Sequence, residues 1–589
     1  MIENIKLHLW GFIGIFFEAI ENIVYLRGTQ YDICNKPIPN FIGFINSIIG
    51  KNVFVKKNIE NQYLKIYTDI EKINHNKFNE DIGFIGLIEY IKSIGLHYSI
   101  KGSDLLTHSH GQLSIDEIYC IRYGDVKLIN TIDIVVYPED TDQIEKIYNF
   151  SNKNNQIKLI PYGGGTNVTG CLGIDKKLED IIYISVDMRK YNKILKVDIY
   201  NNIAIIQSGA TGKEIEYDLE KQGMTMGHEP DSYEFSTLGG WISTYASGMR
   251  RSKYGNIEDI VIDFGYVNNF SKRINEKLTV RVSQGPKLNN LLFGHEGNFG
   301  IITDVIVNIK KLPEKKIYES IIFHNMSDGI NFLKELYEKN IQPSSIRLVD
   351  NEQFKFSQAL KPQKTFLEKF VDKLSKFYLF TILGYKIDQL VAATIVYEGT
   401  TSFVNYNLAE TKIIASKYRG IFGGASNGKA GYNLTHAIAY IRDFLAEYGV
   451  LGETFETSIN WSNIELMTSN VRKRLIEESK KLNIQSNPFL SYRITQLYNS
   501  GVCVYFTFGF YNECENIKND MELYHILEKA MREEMIKYGG SISHHHGVGK
   551  IKVSELKEFY CDNEILLQKN IKNIIDKNNI FNDNNFLST

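Results

Sequence analysis

Three consecutive glycines, Gly163–Gly165, constrain the fold of this 589-residue chain more than any other feature. They follow the apolar run Ile157–Ile160, so the sequence predicts a strand that ends in a tight glycine loop. Without Cβ atoms, such a loop can adopt positive φ and bring backbone N–H groups close to an anion. The whole stretch, Pro161–Gly170, has neither the Gly-Lys-Ser/Thr ending of a Walker A loop nor the glycine spacing of a Rossmann fingerprint. A phosphate-binding loop of another kind and a plain surface turn both stay open.

Composition excludes some classes of function. Hydrophobic residues make up 43% and charged residues 23% of the chain, which is ordinary for a globular protein of several domain-sized units. The formal net charge of −2 gives no reason to expect a nucleic-acid partner. The six cysteines contain no CxxC pair, so we expect neither a disulfide framework nor a metal site.

The two ends carry no clear targeting signal. The apolar run Leu9–Phe17 follows Lys6, as in a signal peptide, but it is too short to span a bilayer as a helix and is interrupted at once by Glu18. We favour a strand and turn packed on the body of the protein over a targeting segment. The final residues, Phe586–Thr589, differ from the Ser-Lys-Leu peroxisomal address.

An alternation of strand and helix patterns begins at Asp133 and predicts an α/β domain. The predicted strands are Asp133–Pro138, Ile157–Ile160, Ile181–Val186 and Ile203–Gln207, and the predicted helices are Thr141–Lys153 and Thr211–Gln222. Two further clusters of small and hydroxyl residues follow, Gly227–Asp259 and Gly294–Gly300. Their hydroxyl and amide groups can hydrogen-bond phosphates and the edge of a heterocycle. Three such clusters in one region indicate an extended cofactor that is contacted at several points.

The pattern changes after Pro313. Helices are predicted at Met326–Glu338, Ile464–Leu482 and Leu523–Lys537, and the alternating run Gly501–Phe510 predicts a strand that lines a cavity. Three adjacent histidines, His544–His546, follow and cannot all share one face. Two more, His108 and His110, would share one face if Thr107–His110 were a strand, but further metal ligands are missing from the local sequence.

Taken in order, these blocks resemble the alkyldihydroxyacetonephosphate synthase family of the vanillyl-alcohol-oxidase-like FAD superfamily. The glycine loop is shared with many flavin oxidases, whereas Gly227–Ser232 and the histidine triplet are specific to the synthases. The other matching blocks are Ile346–Asn351, Ala359–Gln363, Ala439–Asp443, Val450–Ser458 and Arg493–Gln496. Three positions depart from the family pattern: Thr454 and His295 replace serine, and Tyr245 stands where a basic residue is frequent.

The resemblance implies an α+β fold, in which a cap domain covers a two-part α/β FAD-binding domain of the PCMH or vanillyl-alcohol-oxidase type. It divides the chain into an N-terminal region (1–127), the FAD-binding domain (128–313), the substrate-binding cap (314–530) and a C-terminal segment (531–589) that returns the histidine triplet to the flavin. The implied FAD contacts are Pro161, Tyr162, Gly163, Gly164, Gly165, Thr166, Asn167, Asp231, Ser232, Tyr233, Glu234, Phe235, Ser236, Thr237, Thr244, Tyr245, Ala246, Ser247, Glu296, Gly297, Asn298, Phe299, Gly300, Ile301 and Ile302.

The implied reaction is a step of ether-lipid biosynthesis. The acyl group of acyl-dihydroxyacetone phosphate is exchanged for a long-chain fatty alcohol without net electron transfer, and a fatty acid leaves. The implied catalytic residues are Tyr505, His544, His545 and His546, and the implied substrate-binding residues are Arg442, Arg347 and Thr454. A phenol with an ordinary pKa near ~10 needs a cationic or hydrogen-bonded setting to act as a base, which the histidines could supply. The planar donor fork of arginine suits a phosphate dianion.

The resemblance also implies a homodimer, peripheral membrane contact and a peroxisomal location, although neither end shows a peroxisomal signal. Long alkyl chains need an apolar tunnel with access from a bilayer, because exposing them costs ~0.8 kcal/mol per CH₂. The aromatic run Tyr505–Phe510 is a candidate lining.

Two alternatives stay open. The first is an FAD-dependent 2-hydroxy-acid or alcohol oxidoreductase on the same scaffold, against which Gly227–Ser232 and the histidine triplet argue. The second is an inactive flavoprotein that serves as a membrane-associated scaffold for ether-lipid enzymes. The intact set of tyrosine, arginines and histidines argues against it.

Overall fold

The structure is a computed structural model that describes residues 10–54, 70, 72, 81–111, 130–174, 178, 180–274, 281, 283–363, 377–484, 486–512 and 517–581. The strands are β1 Phe16–Ile20, β2 Ile23–Arg27, β3 His97–Ser99, β4 Ile134–Tyr137, β5 Ile157–Tyr162, β6 Ile182–Asp187, β7 Ile194–Asp198, β8 Ile203–Gln207, β9 Met224–Thr225, β10 Val261–Val267, β11 Ile301–Asn308, β12 Lys310–Lys311, β13 Lys315–Phe323, β14 Ser345–Val349, β15 Val391–Gly399, β16 Ile421–Phe422, β17 Val450–Asn460, β18 Phe489–Leu497 and β19 Gly501–Tyr511.

The α-helices are α1 Phe41–Ile49, α2 Ile82–Ser93, α3 Gly102–Thr107, α4 Thr141–Lys153, α5 Gly212–Glu220, α6 Leu238–Thr244, α7 Arg251–Tyr254, α8 Ile257–Ile260, α9 Met326–Glu338, α10 Asn351–Ala359, α11 Thr401–Lys417, α12 Ala425–Ala446, α13 Ile464–Lys481, α14 Ile517–Lys537, α15 Val553–Phe559 and α16 Asp562–Ile575. Short 3₁₀ segments lie at Met188–Lys190, Leu288–Leu292 and Trp461–Asn463, and a π-helical turn at Tyr378–Ile382. Over the residues described, no helix combines the length and the apolar character that crossing a membrane requires.

The glycine loop leaves the edge of a four-stranded sheet with the order β3-β4-β6-β5. Strands β4, β5 and β6 are parallel, and their continuous apolar runs are buried on both faces, as parallel strands require. Helix α4 packs against β5 and begins where the side chain of Asp140 accepts a hydrogen bond from the Gln143 amide. The loop therefore starts at the carboxyl end of a parallel strand, where open α/β sheets bind ligands.

A second four-stranded sheet, of order β10-β11-β8-β7, is antiparallel. Its main core contains Ile206, Val305 and Phe264, while Val267 and Ile301 belong to the core of the first sheet. The two sheets are therefore joined by shared apolar packing, and the three clusters of small residues emerge from them.

The largest sheet has seven strands in the order β16-β13-β15-β14-β18-β19-β17, and all its pairings are antiparallel. Buried side chains of α9, α11, α13 and α14 share one large core with it, to which β19 contributes Val502, Val504, Phe506 and Phe508. Because side chains alternate along a strand, Cys503, Tyr505 and Thr507 point away from this core.

The N-terminal residues form a hairpin, β1–β2, that contacts both α1 and α12. Trp10 and Phe17 are buried in a core with α1, α10 and α12. The prediction of a strand and turn packed on the body of the protein is confirmed for this segment.

Most of the predicted elements are confirmed, with small shifts at their ends. Helices α4 and α9 have the predicted bounds, whereas α14 begins at Ile517 rather than Leu523. Thr107–His110 is not a strand, so the condition for His108 and His110 to share one face of a strand is not met: α3 ends at Thr107 and the two histidines lie in the following turn. The ring of His108 is instead hydrogen-bonded to buried Asp187, with Nε2 2.9 Å from Oδ2. The predicted limits of the four chain regions stay predictions.

Candidate active site

A cavity of about 350 Å³ lies between the two smaller sheets and the open face of the seven-stranded sheet. The glycine loop and the other small-residue clusters form one wall, and Tyr505 and the histidine segment form another. Its volume falls within the usual range for small-molecule sites.

The glycine loop packs directly against the segment around Thr237. A Cβ on Gly163 would collide with the Thr237 hydroxyl, and one on Gly164 would collide with the Phe235 carbonyl oxygen. Gly165 has a φ of +67°, which L side chains rarely adopt. Glycine is thus needed for two cavity-lining clusters to approach each other.

Most of the predicted FAD contacts line this cavity. Those that do are Pro161, Tyr162, Gly163, Gly164, Gly165, Thr166, Asn167, Asp231, Ser232, Glu234, Ser236, Thr237, Thr244, Ala246, Ser247, Glu296, Gly297, Gly300, Ile301 and Ile302. Those outside the lining are Tyr233, Phe235, Tyr245, Asn298 and Phe299. Buried Phe235 packs on Trp10, and Tyr245 stacks on Phe293, so both support the wall from behind.

The lining suits a long, polar, anionic cofactor. It combines a glycine loop, several hydroxyl groups and backbone amides on one continuous wall, and these groups bind pyrophosphate and heterocycle edges without adding charge. The residues present therefore fit FAD.

Strand register places three chemically important side chains in one row. Tyr505 on β19 lies opposite Glu456 on β17 and opposite Arg493 on β18. The guanidinium carbon of Arg493 is 4.1 Å from the centre of the Tyr505 ring. The row brings a phenol, a carboxylate and a guanidinium together on the open face of the sheet.

Glu456 holds the histidine segment in place. Its carboxylate accepts hydrogen bonds from the backbone amides of His544 (2.5 Å), His545 (3.3 Å) and His546 (2.9 Å), and from the Ser543 hydroxyl (2.7 Å). Burial opposes its ionisation, but the histidine segment and nearby Lys552 outweigh burial and hold the pKa of Glu456 well below its usual range. The loop is therefore fixed by an ionised carboxylate.

A second carboxylate, Glu296, fixes the residues that follow. It accepts hydrogen bonds from the amides of Val548 (3.2 Å) and Gly549 (2.9 Å), and a Cβ on Gly547 would collide with it. Burial raises the pKa of Glu296 to about 7, against the opposing effect of these amides. Predicted as an FAD contact, Glu296 also ties the C-terminal segment to the third glycine cluster.

The Tyr505 hydroxyl has two polar neighbours within hydrogen-bonding distance. Its oxygen is 3.1 Å from Nε2 of His546 and 3.2 Å from Oγ1 of Thr454. Burial raises the pKa of Tyr505 well above its ordinary value even though Arg493 opposes the shift. Burial also holds the pKa of His546 well below its ordinary value. At neutral pH the phenol therefore keeps its proton, and His546 is a neutral acceptor for it.

The other two histidines have different surroundings. His545 lines the cavity, whereas His544 is outside the lining, and its Nε2 lies 2.6 Å from the Tyr498 hydroxyl. The Nδ1 atoms of His544 and His545 face each other at 2.8 Å. Burial lowers the pKa of both rings, so they are neutral as well. The cationic setting considered for Tyr505 thus comes from Arg493, which we did not select among the site residues.

The two predicted substrate arginines differ in their acidic partners. Arg442 lines the cavity and forms ion pairs with Asp443 (3.0 Å) and Glu453 (3.4 Å). Burial raises the pKa of Glu453 to about 7, so this partner gains a proton readily.

Arg347 lies behind the lining and shares one carboxylate, Asp231, with Arg493, at 2.9 and 3.4 Å. It also donates a hydrogen bond to Thr435. Two guanidinium groups against one carboxylate leave an excess of positive charge beside Tyr505.

The far end of the cavity is apolar. Its lining consists of Trp10, Ile45, Ile48, Ile49, Phe356, Ile438, Ala439, Ile441, Leu445, Val450, Phe489, Phe508 and Phe510. Phe508 and Phe510 belong to the predicted aromatic run and border this end, but their side chains are buried in the core of the seven-stranded sheet.

Trp10, α1 and α10 were not indicated as lining by the sequence, whereas Ala439, Ile441 and Val450 lie in the blocks Ala439–Asp443 and Val450–Ser458 that carry the resemblance. The residues of α1 were missed. The amphipathic pattern of α1 was a usable signal, because it leaves a buried apolar face at Phe41, Ile42, Ile45 and Ile49.

We expect Glu456→Gln to loosen the histidine segment. The amide retains one acceptor oxygen but loses the negative charge that four donors share. Because a hydrogen bond to a charged group contributes ~1.5–3 kcal/mol, the amides of His544–His546 should exchange with solvent roughly tenfold to a hundredfold faster. Native-state hydrogen exchange followed by mass spectrometry measures this change.

Glu465→Gln is the matched control, since Glu465 is bonded to Ser327 on the far side of the cap. It should leave the exchange of residues 543–549 unaltered. Unaltered exchange in Glu456→Gln would contradict the role of the carboxylate.

Comparisons with known proteins agree with this geometry. Residues 132–272 match the family described as "FAD binding domain", and residues 312–585 match "FAD linked oxidases, C-terminal domain". The alkyldihydroxyacetonephosphate synthase of Caenorhabditis elegans is 38% identical over 582 residues, which cover 98% of this chain and 94% of that protein.

Two solved structures are similar to the whole architecture. One is an alkyldihydroxyacetonephosphate synthase with a TM-score of 0.82 and 27% identity, covering 98% of this chain and 97% of the other. The other is a substrate-bound p-cresol methylhydroxylase with a TM-score of 0.62 and 13% identity, covering 83% and 93%. The fold is thus the expected α+β FAD-binding fold, and the chain belongs to the alkyldihydroxyacetonephosphate synthase family.

Proposed function

We propose that this FAD-dependent transferase of ether-lipid biosynthesis exchanges the acyl group of acyl-dihydroxyacetone phosphate for a long-chain fatty alcohol. The observation that carries the proposal is the position of Tyr505. It lies in one cavity with the small-residue wall and the apolar end, and it contacts Arg493 and His546. A phosphate ester with a long acyl chain needs such a combination of a polar and an apolar end.

FAD would be held along the small-residue wall. Tyr162–Asn167 would bind its pyrophosphate through their backbone amides, with Pro161 lining the same loop, and the hydroxyl groups of Ser236, Thr237, Thr244 and Ser247 would be available to its remaining polar atoms. When bound, FAD supplies the reactive heterocycle beside which the carbon–oxygen bond is exchanged, with no net electron transfer.

Tyr505 and His546 work as a pair in proton transfer. The carbon–oxygen bond to the acyl group breaks and the fatty acid leaves as its carboxylate, while the fatty alcohol forms the new carbon–oxygen bond at the same carbon. The hydroxyl proton of the alcohol moves to the Tyr505 oxygen, and the phenol proton moves across 3.1 Å to Nε2 of His546, which later releases it to solvent. Glu456, whose Oε1 is 3.7 Å from Nδ1 of His546, stabilises the imidazolium that results. The Arg493 guanidinium over the ring stabilises charge that develops on the phenol oxygen.

The substrate phosphate binds the arginines. Arg493 and Arg442 line the cavity and face the phosphate, and Arg347 acts from behind the lining because it shares Asp231 with Arg493 and leaves that pair with excess positive charge. The charge of Arg442 is less compensated when Glu453 takes up a proton. Thr454, 3.2 Å from the Tyr505 hydroxyl, holds that hydroxyl in position. His545 faces the substrate, and His544 orients His545 from behind.

The apolar end of the cavity holds the alkyl and acyl chains. We assign the chain regions as first expected, with FAD bound by residues 128–313, a cap at 314–530 and the C-terminal segment 531–589 carrying the histidines. The region 1–127 contributes Trp10 and α1 to the chain-binding end. We also propose a homodimer in a peroxisomal setting.

We expect Tyr505→Phe to retain FAD and lose alkyl transfer. The ring and its stacking with Arg493 are kept, and only the hydroxyl that relays the proton is removed. Loss of acid–base catalysis typically lowers kcat by ~10²–10⁴-fold. The assay is the incorporation of labelled hexadecanol into palmitoyl-dihydroxyacetone phosphate by the purified, flavin-loaded protein.

Tyr511→Phe, at the end of the same strand, is the matched control and should keep the parental rate. An FAD-loaded parent that makes no alkyl product refutes the transferase assignment. Bleaching of the flavin by 2-hydroxy acids in the absence of oxygen would instead assign the oxidoreductase activity.

We expect Ala439→Phe to shorten the space for the alkyl chain. Ala439 lines the apolar end, and a phenyl group there displaces several methylene groups, each worth ~0.8 kcal/mol when buried. The KM for hexadecanol should rise at least roughly tenfold, while that for octanol should change much less. Alkyl transfer with alcohols of graded length measures the shift.

Ala430→Phe introduces the same group at an exposed position of the same helix and should leave both values unaltered. An equal loss for short and long alcohols in Ala439→Phe would place the chain elsewhere.

The N-terminal hairpin is the surface that we propose for peripheral membrane contact. It exposes Ile13 (60%), Phe16 (47%) and Ile20 (44%), and its strands pack on α1 and α12, which line the apolar end of the cavity. Exposed apolar side chains next to a chain-binding cavity allow a lipid to pass from a bilayer without crossing water.

We expect Phe16→Asp combined with Ile20→Asp to weaken binding to phosphatidylcholine liposomes by roughly tenfold or more, because both side chains lose apolar contact with lipid. Co-sedimentation with liposomes measures the bound fraction. Tyr200→Asp, at a turn where the side chain is 93% exposed, is the control and should bind like the parent. Equal sedimentation of all three proteins would contradict the assignment of the hairpin.

A further inference from the structure

Three potential metal ligands converge beside the catalytic tyrosine. The Cys503 sulfur and one ring nitrogen from each of His544 and His545 all lie within 4.8 Å of one another. Cys503 is fully buried, whereas both histidines are partly exposed, and of the two only His545 lines the cavity. No metal was expected from the sequence because the ligands are far apart in the chain and only strand β19 and the histidine segment bring them together.

The surrounding contacts fix all three groups. Cys503 is two residues from Tyr505 on the same face of β19 and lies opposite Ser458 of β17. The backbone amides of both histidines are bonded to Glu456. Neighbouring groups that fix the orientation of a ligand side chain raise the affinity for a metal, because the side chain is already ordered before the metal binds.

The ring of His544 is oriented for metal binding. Its Nε2 lies 2.6 Å from the Tyr498 hydroxyl, and the guanidinium carbon of Arg251 is 4.0 Å from the centre of the Tyr498 ring. When the ring proton of His544 is on Nε2 and is donated to the Tyr498 hydroxyl, Nδ1 of His544 has a lone pair that can bind a cation. This Nδ1 faces Nδ1 of His545 at 2.8 Å.

The spacing is close to that of a tetrahedral zinc site. Zinc–nitrogen bonds of ~2.0–2.1 Å and zinc–sulfur bonds of ~2.3 Å require roughly 3.3 Å between two ring nitrogens and roughly 3.6 Å between sulfur and nitrogen. The observed separations, 2.8 Å between the two Nδ1 atoms and up to 4.8 Å within the group, bracket these values. Small side-chain rotations therefore complete the geometry.

We propose that Cys503, His544 and His545 form an inhibitory site for a thiophilic divalent cation, with Zn²⁺ as its representative. The fourth position faces the cavity and is taken by water. As the zinc–sulfur bond forms, the Cys503 thiol releases its proton to solvent, and no electron is transferred. The site goes beyond the proposed activity, in which the metal has no part.

Zinc bound here blocks the reaction for a geometric reason. The ring centre of His545 is 5.8 Å from that of Tyr505, and the same backbone segment carries His546. A cation bound by both His545 and Cys503 holds the His545 ring away from the substrate. It also fixes the backbone of the histidine segment His544–His546.

X-ray absorption at the zinc edge tests the site without any assay of activity. The FAD-loaded enzyme, given one equivalent of Zn²⁺ and desalted, should retain the metal. Its spectrum should show a sulfur shell near ~2.3 Å and nitrogen shells near ~2.0–2.1 Å. Loss of the metal on desalting, or a spectrum of oxygen and nitrogen shells alone, overturns the proposal whether or not the enzyme makes alkyl product.

Cys503→Ser removes the soft ligand and should raise the Zn²⁺ concentration for half-inhibition of alkyl transfer by roughly tenfold or more, with the rate in chelator unaltered. Cys34→Ser, a half-buried cysteine bonded to the Arg27 carbonyl, is the matched control and should keep the parental inhibition. Equal inhibition of all three proteins places the inhibitory zinc elsewhere and overturns the proposal. The absorption spectrum of the parent decides the question if the variant fails to fold.

Discussion

The carboxylate of Glu456 is the interaction on which the site depends. A buried carboxylate costs several kcal/mol unless hydrogen-bond donors surround it, and the donors here are three consecutive backbone amides and a serine hydroxyl. The ionised Glu456 carboxylate is therefore stable only when the histidine segment packs across β17 and supplies these donors. Glu296, on the opposite wall, likewise accepts hydrogen bonds from backbone amides of this segment, those of Val548 and Gly549. Two walls of the cavity are thus joined through one short segment, and the rings of Tyr505 and His546 lie between them.

This arrangement also sets the protonation states. The same burial that makes Glu456 depend on its donors raises the pKa of Tyr505 and lowers the pKa of His546. A protonated phenol beside a neutral imidazole is the combination that a proton relay needs, since each group can change state when a substrate hydroxyl arrives. Arg493 and Glu456 lie on either side of Tyr505 in the sheet, where they are placed to stabilise the opposite charges of the proposed relay.

Local patterns in the sequence predicted the parts of the fold that local forces determine. The apolar period of α4 and the glycines after β5 act over a few residues, so both could be recognised without knowledge of the rest of the chain. The site depends on longer connections. Glu456 meets the amide of His544 across 88 residues, and Arg493 reaches Tyr505 only through the register of β18 against β19. A sequence pattern carries no information on register between distant strands, so the resemblance supplied Tyr505 and the histidines but not Glu456 or Arg493 as partners.

The N-terminal segment separates this chain from flavoenzymes that share its cofactor wall. The two FAD-related families match residues 132–272 and 312–585, and neither includes the hairpin or α1. Those earlier residues supply Trp10, Ile45, Ile48 and Ile49 to the apolar end of the cavity. An enzyme that oxidises a small hydroxy acid has no use for an apolar extension of this kind, because its substrate offers no chain to bury. The residues that match the FAD-related families therefore supply most of the cofactor wall, and a segment outside them supplies the apolar space that we propose for a long alkyl chain.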